Sequence, residues 1–149
     1  MFNIYLTNEV VPDTDPGVTA AYGKIQIGDY IETFTARLTL WRSDQYEQHW
    51  RAAIERLLKG ADRSALITSY VEPTRVPDNF LMWWPLYREG ETVHVQNQLL
   101  FFELLKESFS LENPWASVQS RRTVNDEGMK ISEWSVAIGD FAEFLMRQK

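Results

Sequence analysis

The strongest hydrophobic pattern in the chain spans residues 80–102, FLMWWPLYREGETVHVQNQLLFF. Successive side chains of a strand point to opposite faces, so strict alternation sorts residues by face. One face would carry Phe80, Met82, Trp84 and Leu86, and the other Leu81, Trp83 and Tyr87. Arg88 to Glu91 form a polar turn in which Gly90 can adopt positive φ, and Val93 and Val95 follow on the return strand. The pattern predicts a β-hairpin whose first strand is apolar on both faces.

A strand of this kind is either covered on both faces within the domain or covered on one face and offered to a partner. Pro85 lies inside it. Because proline has no N–H to donate to a ladder, we expect this strand at a sheet edge or at a bulge.

Two helices are predicted by apolar residues at helical spacing. The first has Ser43 or Asp44 as its candidate N-cap and ends near Gly60, and Asp44 with Glu47 has the spacing of a capping box. Its apolar face comprises Tyr46, Trp50, Ala53, Ile54, Leu57 and Leu58. The second covers residues 137–149, with Ile138, Phe141, Phe144 and Leu145 facing inward.

The remaining pattern is mostly short strands between turns. Strands are predicted over residues 1–6, 22–36 with a turn or bulge at Gly28 and Asp29, 63–71, 98–102, 120–124 and 129–136, with a loop over 8–17 and a short helix over 111–118. Strands joined by short turns pair in antiparallel fashion. The predicted fold is therefore α+β, a single domain over residues 1–149 in which a mainly antiparallel sheet carries a mid-chain helix and a C-terminal helix.

Composition adds two alternatives to this picture. Aromatic residues make up 13% of the chain, with six Trp, six Tyr and eight Phe. These rings can build a core of large side chains, or some can serve a recognition surface, where Trp and Tyr are enriched.

The net charge limits the classes of partner that the protein is expected to bind. The net charge is −6, which argues against nucleic acid and anionic membrane, because both reward Lys and Arg, and it permits a basic partner. No basic leader precedes an apolar run and no segment has the length of a membrane span, so we expect a cytoplasmic protein.

Catalytic and metal chemistry find little support in the sequence. The chain has two His and no Cys, and it has no metal-ligand spacing, phosphate loop or nucleophile elbow. His49 is interpreted as a surface or boundary residue and His94 as a half-exposed strand residue. Adjacent acids such as Asp126 and Glu127 lie in turns, where they are usually solvated. We therefore expect neither a cofactor nor enzymatic activity.

Three stretches resemble one group of immunity proteins from bacterial contact-dependent growth inhibition (CDI) systems. They read SALITSYVEP, FLMWWPLYREGETVHVQNQLLF and NDEGMKISEW, and the resemblance runs over residues 64–145 with a weaker echo in LTLWRSDQYEQHW. Its most specific parts are residues 84–97 and 126–134. The resemblance does not cover the first 35 residues. Gly90 and Gly128 are interpreted as turn residues, and Trp84 and Trp134 as core rings.

The resemblance implies a small cytoplasmic protein that binds the toxic C-terminal domain of a cognate secreted effector. In the group that this chain most resembles, the toxin is a ribosomal-RNA nuclease, and the immunity protein covers its active site. The family's fold is similar to that of Whirly single-stranded-DNA binders, although the acidic charge opposes such a use here. The alternatives are a single-stranded nucleic-acid binder that stacks bases on exposed aromatics, and a small hydrolase that uses His94 with a nearby acid.

The predicted toxin-binding surface follows from the hairpin. If Trp84 points into the core, Trp83 and Tyr87 point away from it and could serve as aromatic anchors. Acids at adjoining turns would surround them, namely Glu89, Glu91, Asp126 and Glu127. The alternative is that a helix covers this second face as well.

Overall fold

The computed structural model describes residues 1–13 and 15–147. Thr14 of the predicted loop, and Gln148 and Lys149 of the predicted C-terminal helix, lie outside the described residues. The elements in chain order are β1 (Phe2–Pro12), β2 (Thr19–Ile27), β3 (Tyr30–Arg37), α1 (Ser43–Leu58), β4 (Arg63–Ser69), β5 (Phe80–Glu89), β6 (Thr92–Gln96), β7 (Gln98–Phe101), β8 (Glu133–Ala137) and α2 (Ile138–Arg147). Short 3-10 turns occupy Phe102–Leu104 and Pro114–Ser117.

The predicted α+β class with antiparallel pairing and two helices is confirmed, but the strands form two sheets rather than one. The first sheet has the order β1-β2-β3. Its second turn contains Gly28 at φ +62°, as the sequence predicts. β1 runs well past the predicted end at residue 6, because a register shift between Leu6 and Val10 lets pairing with β2 resume. The likeness to the Whirly fold stays a prediction.

The second sheet has the order β4-β5-β6-β8, and β7 continues from β6 along the first half of β5. β5 is therefore a central strand, and the predicted edge position of Pro85 is wrong. The ladder to β6 starts at Leu86 and the ladder to β7 ends at Trp83, so pairing on that side is interrupted opposite Trp84 and Pro85. Such an interruption accommodates a residue without an N–H, as the bulge alternative requires.

α1 lies on β4 and closes the core. Its predicted apolar face is buried at Tyr46, Trp50, Ala53, Ile54 and Leu57. The Trp50 indole N–H donates to the Ile67 carbonyl (2.8 Å), and the Ser64 hydroxyl donates to the Ala53 carbonyl (2.8 Å). The helix begins at Ser43 with Arg42 as its N-cap, so the predicted N-cap at Ser43 or Asp44 and the predicted Asp44–Glu47 capping box are both wrong. The Arg42 N–H instead donates to the Gln45 side-chain oxygen at 2.8 Å.

α2 follows β8 directly and packs against the first strand. Ile138, Phe141 and Phe144 are buried as predicted. The Phe2 ring lies 4.4 Å from that of Phe141 and 5.5 Å from that of Phe144, measured between centroids. This contact ties the two ends of the chain together.

The least regular part of the fold lies between β7 and β8. The short helix predicted over residues 111–118 reduces to the 3-10 turn Pro114–Ser117, and the strands predicted over 120–124 and 129–136 reduce to β8 and a single Val124–Lys130 bridge. All residues from Arg121 to Lys130 are exposed. Without a buried face, the hydrophobic alternation expected of a sheet strand has nothing to pack against. We call residues 102–122 the strap, and residues 123–131 the late hairpin.

Candidate interaction surface

The inner face of β5 points toward α1. Ser64, which bonds to α1, is paired with Leu86, so Leu86 and its alternate neighbour Trp84 share that face. Both are buried. The Trp84 ring lies 5.6 Å from Trp134, which in turn stacks on Tyr30 of β3 at 4.4 Å. Trp84 is therefore a core ring as predicted, whereas Trp134 is only partly buried, at the junction of the two sheets.

The outer face of β5 is covered by the strap. Trp83 is 2% exposed and Tyr87 is 6% exposed, so the predicted surface exposure of these two rings is wrong. The Tyr87 hydroxyl donates to the Gln119 carbonyl (2.9 Å), and the neighbouring Arg63 donates to the Val118 carbonyl (3.2 Å). Burial raises the pKa of Tyr87. The expected alternative, a helical cover, is also not what forms, because the strap contributes only 3-10 turns and irregular backbone.

The four predicted acids are exposed but lie in two separate places. Glu89 and Glu91 flank Gly90, which has φ +62° at the β5–β6 turn. Asp126 and Glu127 lie at the tip of the late hairpin, beyond the other end of the β6–β8 ladder, in which Thr92 pairs with Ala137 and Gln96 with Glu133. The length of β6, roughly 13 Å at about 3.3 Å per residue, separates the two sites. The four acids therefore form two groups rather than one, although each group adjoins a predicted anchor: Glu89 follows Tyr87 at the end of β5, and Asp126 lines a groove together with Trp83.

A polar row on the outer face connects these ends. Arg121 holds the Glu133 carboxylate with two contacts of 2.8 and 2.6 Å, and this hydrogen bonding keeps the pKa of Glu133 below its usual value. The buried Gln96 donates to the same carboxylate at 2.7 Å. The ion pair between Glu133 and Arg121 is thus structural, and it holds β8 against the end of the strap.

His94 lies in this row between two carboxylates. Its Nδ1 is 3.1 Å from the Ser135 hydroxyl, whereas its nitrogens are 4.0 Å from Glu89 and 3.9 Å from Glu133. The two longer separations exceed hydrogen-bond reach, so neither acid orients the imidazole as a general base requires. Across residues 1–13 and 15–147, no group of three His, Asp or Glu side chains is placed to hold a metal ion.

His49 has a structural role that the sequence does not reveal. Its Nε2 accepts a hydrogen bond from the Ile67 N–H at 2.8 Å. The ring lies between Trp41 (5.2 Å) and Trp115 of the strap (5.8 Å, nearly parallel), although the residue keeps some exposed surface. Burial lowers the pKa of His49 to about 3. Because protonation would also destroy the acceptor, the neutral ring holds α1, β4 and the strap together.

Sequence reasoning also missed an exposed apolar surface. Phe80 and Met82 share the inner face with Trp84, yet Met82 is 41% exposed. Its cross-strand partner Leu99 is 45% exposed, and the next pair, Phe80 with Phe101, is half-buried with ring centroids 5.2 Å apart. We call these four residues the end patch. The inner face is closed over Trp84 and open at this end.

No helix within the described part of the chain combines the length and apolar character needed to cross a membrane.

Comparison with known proteins identifies the family. The family model for the CdiI N-terminal domain matches residues 36–144. The chain belongs to the CdiI immunity-protein family. It is 35% identical over 144 residues to the immunity protein CdiI of Enterobacter cloacae subsp. cloacae, covering 97% of this chain and 96% of that protein. The resemblance to CDI immunity proteins is thereby confirmed.

The match to CdiI in sequence and a match in structure both extend the relationship to the N-terminal sheet, since each covers at least 97% of the chain. A chain of the CdiA-CT/CdiI toxin and immunity complex from Enterobacter cloacae matches with a TM-score of 0.84 and 34% identity, covering 99% of this CdiI-family chain and 97% of that chain. The family model begins at residue 36, so most of the first sheet lies outside it. The first 35 residues, which carry no recognisable motif, are nevertheless included in the structural match.

Proposed function

We propose that this CdiI-family protein binds and neutralises the cognate C-terminal toxin domain of a CDI effector. The observation that carries the proposal is the match to a chain from a toxin and immunity complex, which extends over 99% of this chain. Relatives of this length and similarity share a fold along their whole length, and the relative from Enterobacter cloacae subsp. cloacae is an immunity protein.

The proposed toxin is a basic nuclease that acts on ribosomal RNA. The motif resemblance supports the nuclease class, and the net charge of −6 supports a basic partner. A nuclease needs a positive surface because its substrate is a polyanion. An acidic protein can occupy that surface and exclude the RNA.

Neutralisation requires only that the bound immunity protein cover the toxin's active site. We propose no catalytic step and no cofactor. Glu89, Glu91, Asp126 and Glu127 would contribute rim charges at two ends of the outer face, where exposed acids accelerate encounter with a basic partner. Trp83 and Tyr87 would act indirectly, by holding the strap in place.

Co-expression with the cognate toxin domain of the CDI effector tests the proposal. Cells producing the toxin domain alone should stop growing, and cells that also produce this protein should grow. A CdiI protein paired with a different toxin is the matched control and should give no protection. Purified protein should abolish the toxin's ribonuclease activity near one equivalent. Continued growth arrest at normal levels of this protein would contradict the proposal.

A further inference from the structure

The end patch is a cluster of apolar side chains that the fold leaves partly exposed. Its members form two directly opposite cross-strand pairs, so the four side chains stand together on one sheet face. Phe80 and Phe101 are half-buried against each other, while Met82 and Leu99 expose about two-fifths of their surface. Exposed apolar groups gathered on one face and bordered by polar residues mark interaction sites more often than singly scattered ones.

Two grooves enlarge this surface. One, of about 460 Å³, runs beside β7 and is lined by Leu99, Phe101 and Leu104, the last of which is 76% exposed. The other, of about 390 Å³, lies toward the first sheet and is lined by Phe80 and Met82 with polar neighbours. Within the described chain β7 pairs only with β5, so its outer edge has no neighbouring strand. The end patch therefore continues into concave surface on both sides.

The border of the end patch is acidic. Asp13 and Asp78 line the groove toward the first sheet, and Glu103 is exposed just after β7. Arg37 in the same groove is held by Asp13 (3.0 Å) and Asp15 (2.8 Å). Two further cations lie nearby. Arg75 donates from its side chain to the Leu105 carbonyl, and Arg122 lines the groove beside β7 and pairs with Asp126 at 2.6 Å. Five acids (Asp13, Asp15, Asp78, Glu103 and Asp126) outnumber the three arginines, so the border of the end patch carries an excess of negative charge.

We propose that the end patch is the surface on which the toxin domain docks, a proposal that rests on the proposed function. An apolar centre with an acidic rim complements a partner surface that carries apolar side chains surrounded by Lys or Arg. The proposed nuclease would supply the basic part of that surface, because its substrate is a polyanion. A second copy of this chain would not, because docking two end patches face to face would bring two acidic borders together.

The test is a pair of single substitutions, Met82→Lys and Leu99→Lys, with Ile31→Lys as the matched control. Ile31 is an exposed apolar residue on β3, 57% accessible, and lies outside the end patch. All three replace an exposed strand residue by a cation, so folding should survive, and thermal melting by circular dichroism verifies it. Affinity for the purified toxin domain is then measured by isothermal titration calorimetry.

Each end-patch variant should bind about tenfold more weakly or worse, because a lysine there must be desolvated against a basic surface, and Ile31→Lys should stay within about twofold of the parent. Equal binding by all three variants would overturn the docking assignment. So would an end patch that mediates self-association in analytical ultracentrifugation while toxin affinity is unchanged. If the parent protein itself does not bind the toxin, the proposed function fails rather than the location of the site.

Discussion

The two faces of β5 are equally apolar in sequence and are treated in opposite ways by the fold. The inner face packs on α1, a regular helix with a periodic apolar face, yet it stays open at Phe80 and Met82. The outer face is covered by the strap, which has almost no regular structure, yet Leu81, Trp83 and Tyr87 are all buried. A segment with regular secondary structure therefore does not necessarily bury a strand face more completely than an irregular one.

The difference has a physical basis in how each cover is held. A helix presents a straight stripe of side chains, so it covers only the length of strand that it lies along. The strap has no such constraint. It is held by separate contacts, namely the buried side chains Phe102, Leu105 and Val118 and the bonds from Arg63 and Tyr87 to its carbonyls. It can follow the strand and seal it.

The largest expected effect comes from removing the ring that the strap covers. Trp83→Ala should lower the free energy of unfolding by about 3–5 kcal/mol, because it leaves a large cavity under the strap. Met82→Ala on the adjacent, open position of the same strand should cost less than about 1 kcal/mol. Urea unfolding followed by tryptophan fluorescence and circular dichroism measures both. Similar losses for the two variants would mean that the faces do not differ as the structure indicates.

Acid should weaken the junction where α1 meets the strap. His49 has a pKa of about 3 in the fold and about 6.5 when unfolded, so the unfolded chain binds the proton first. The stability that depends on neutral His49 is fully present above about pH 6.5 and is lost as the pH falls toward 3. The loss of unfolding free energy reaches roughly 3 kcal/mol at pH 4. The measurement is the free energy of unfolding against pH for the parent and for His49→Gln.

The variant should be less stable at pH 7 but should lose stability less steeply between pH 7 and 4. Carboxylates such as Glu133 contribute an acid loss to both proteins, so the difference between the two curves isolates His49. Parallel curves would mean that His49 titrates normally in the fold.

A smaller effect should follow from cutting one contact between the outer face and the strap. Tyr87→Phe removes the hydrogen bond to the Gln119 carbonyl and should cost about 1 kcal/mol, since that carbonyl loses its donor at a partly buried position. Amide hydrogen exchange should rise within the strap and not in α1. Tyr5→Phe, which alters an exposed ring on β1, is the control and should leave both quantities unchanged. Uniform exchange across the protein would argue against the strap as a separate cover.

The smallest effect on equilibrium affinity is expected from the acids of the late hairpin, which lies outside both α1 and the strap. Asp126→Lys combined with Glu127→Lys should mainly slow association with the toxin domain and cost less than about 1 kcal/mol of affinity. Glu9→Lys with Asp29→Lys makes the same charge change on the first sheet and isolates the effect of position. Surface plasmon resonance at two salt concentrations measures the rates, and the difference should shrink as salt screens the charges. Equal rates for the two double variants would remove the late hairpin from the encounter surface.

Local patterns were sufficient for much of the fold. Period-two alternation identified β5 and β6, the 3.6-residue spacing identified the buried face of α1, and Gly28 and Gly90 marked turns that do require positive φ. The motifs around residues 84–97 and 126–134 were sufficient for the family. All of these depend on residues close together in the chain, where backbone sterics and side-chain spacing act directly.

The tertiary structure alone decided which segments meet. It placed Pro85 in a central strand by interrupting a ladder, gave His49 an acceptor role toward a remote N–H, and set the predicted acids at opposite ends of β6 and β8. It also buried Trp83 and left Met82 open, the reverse of the expected anchors. Alternation reports which side chains share a face, but the cover of that face comes from pairings distant in sequence, and no local period encodes them.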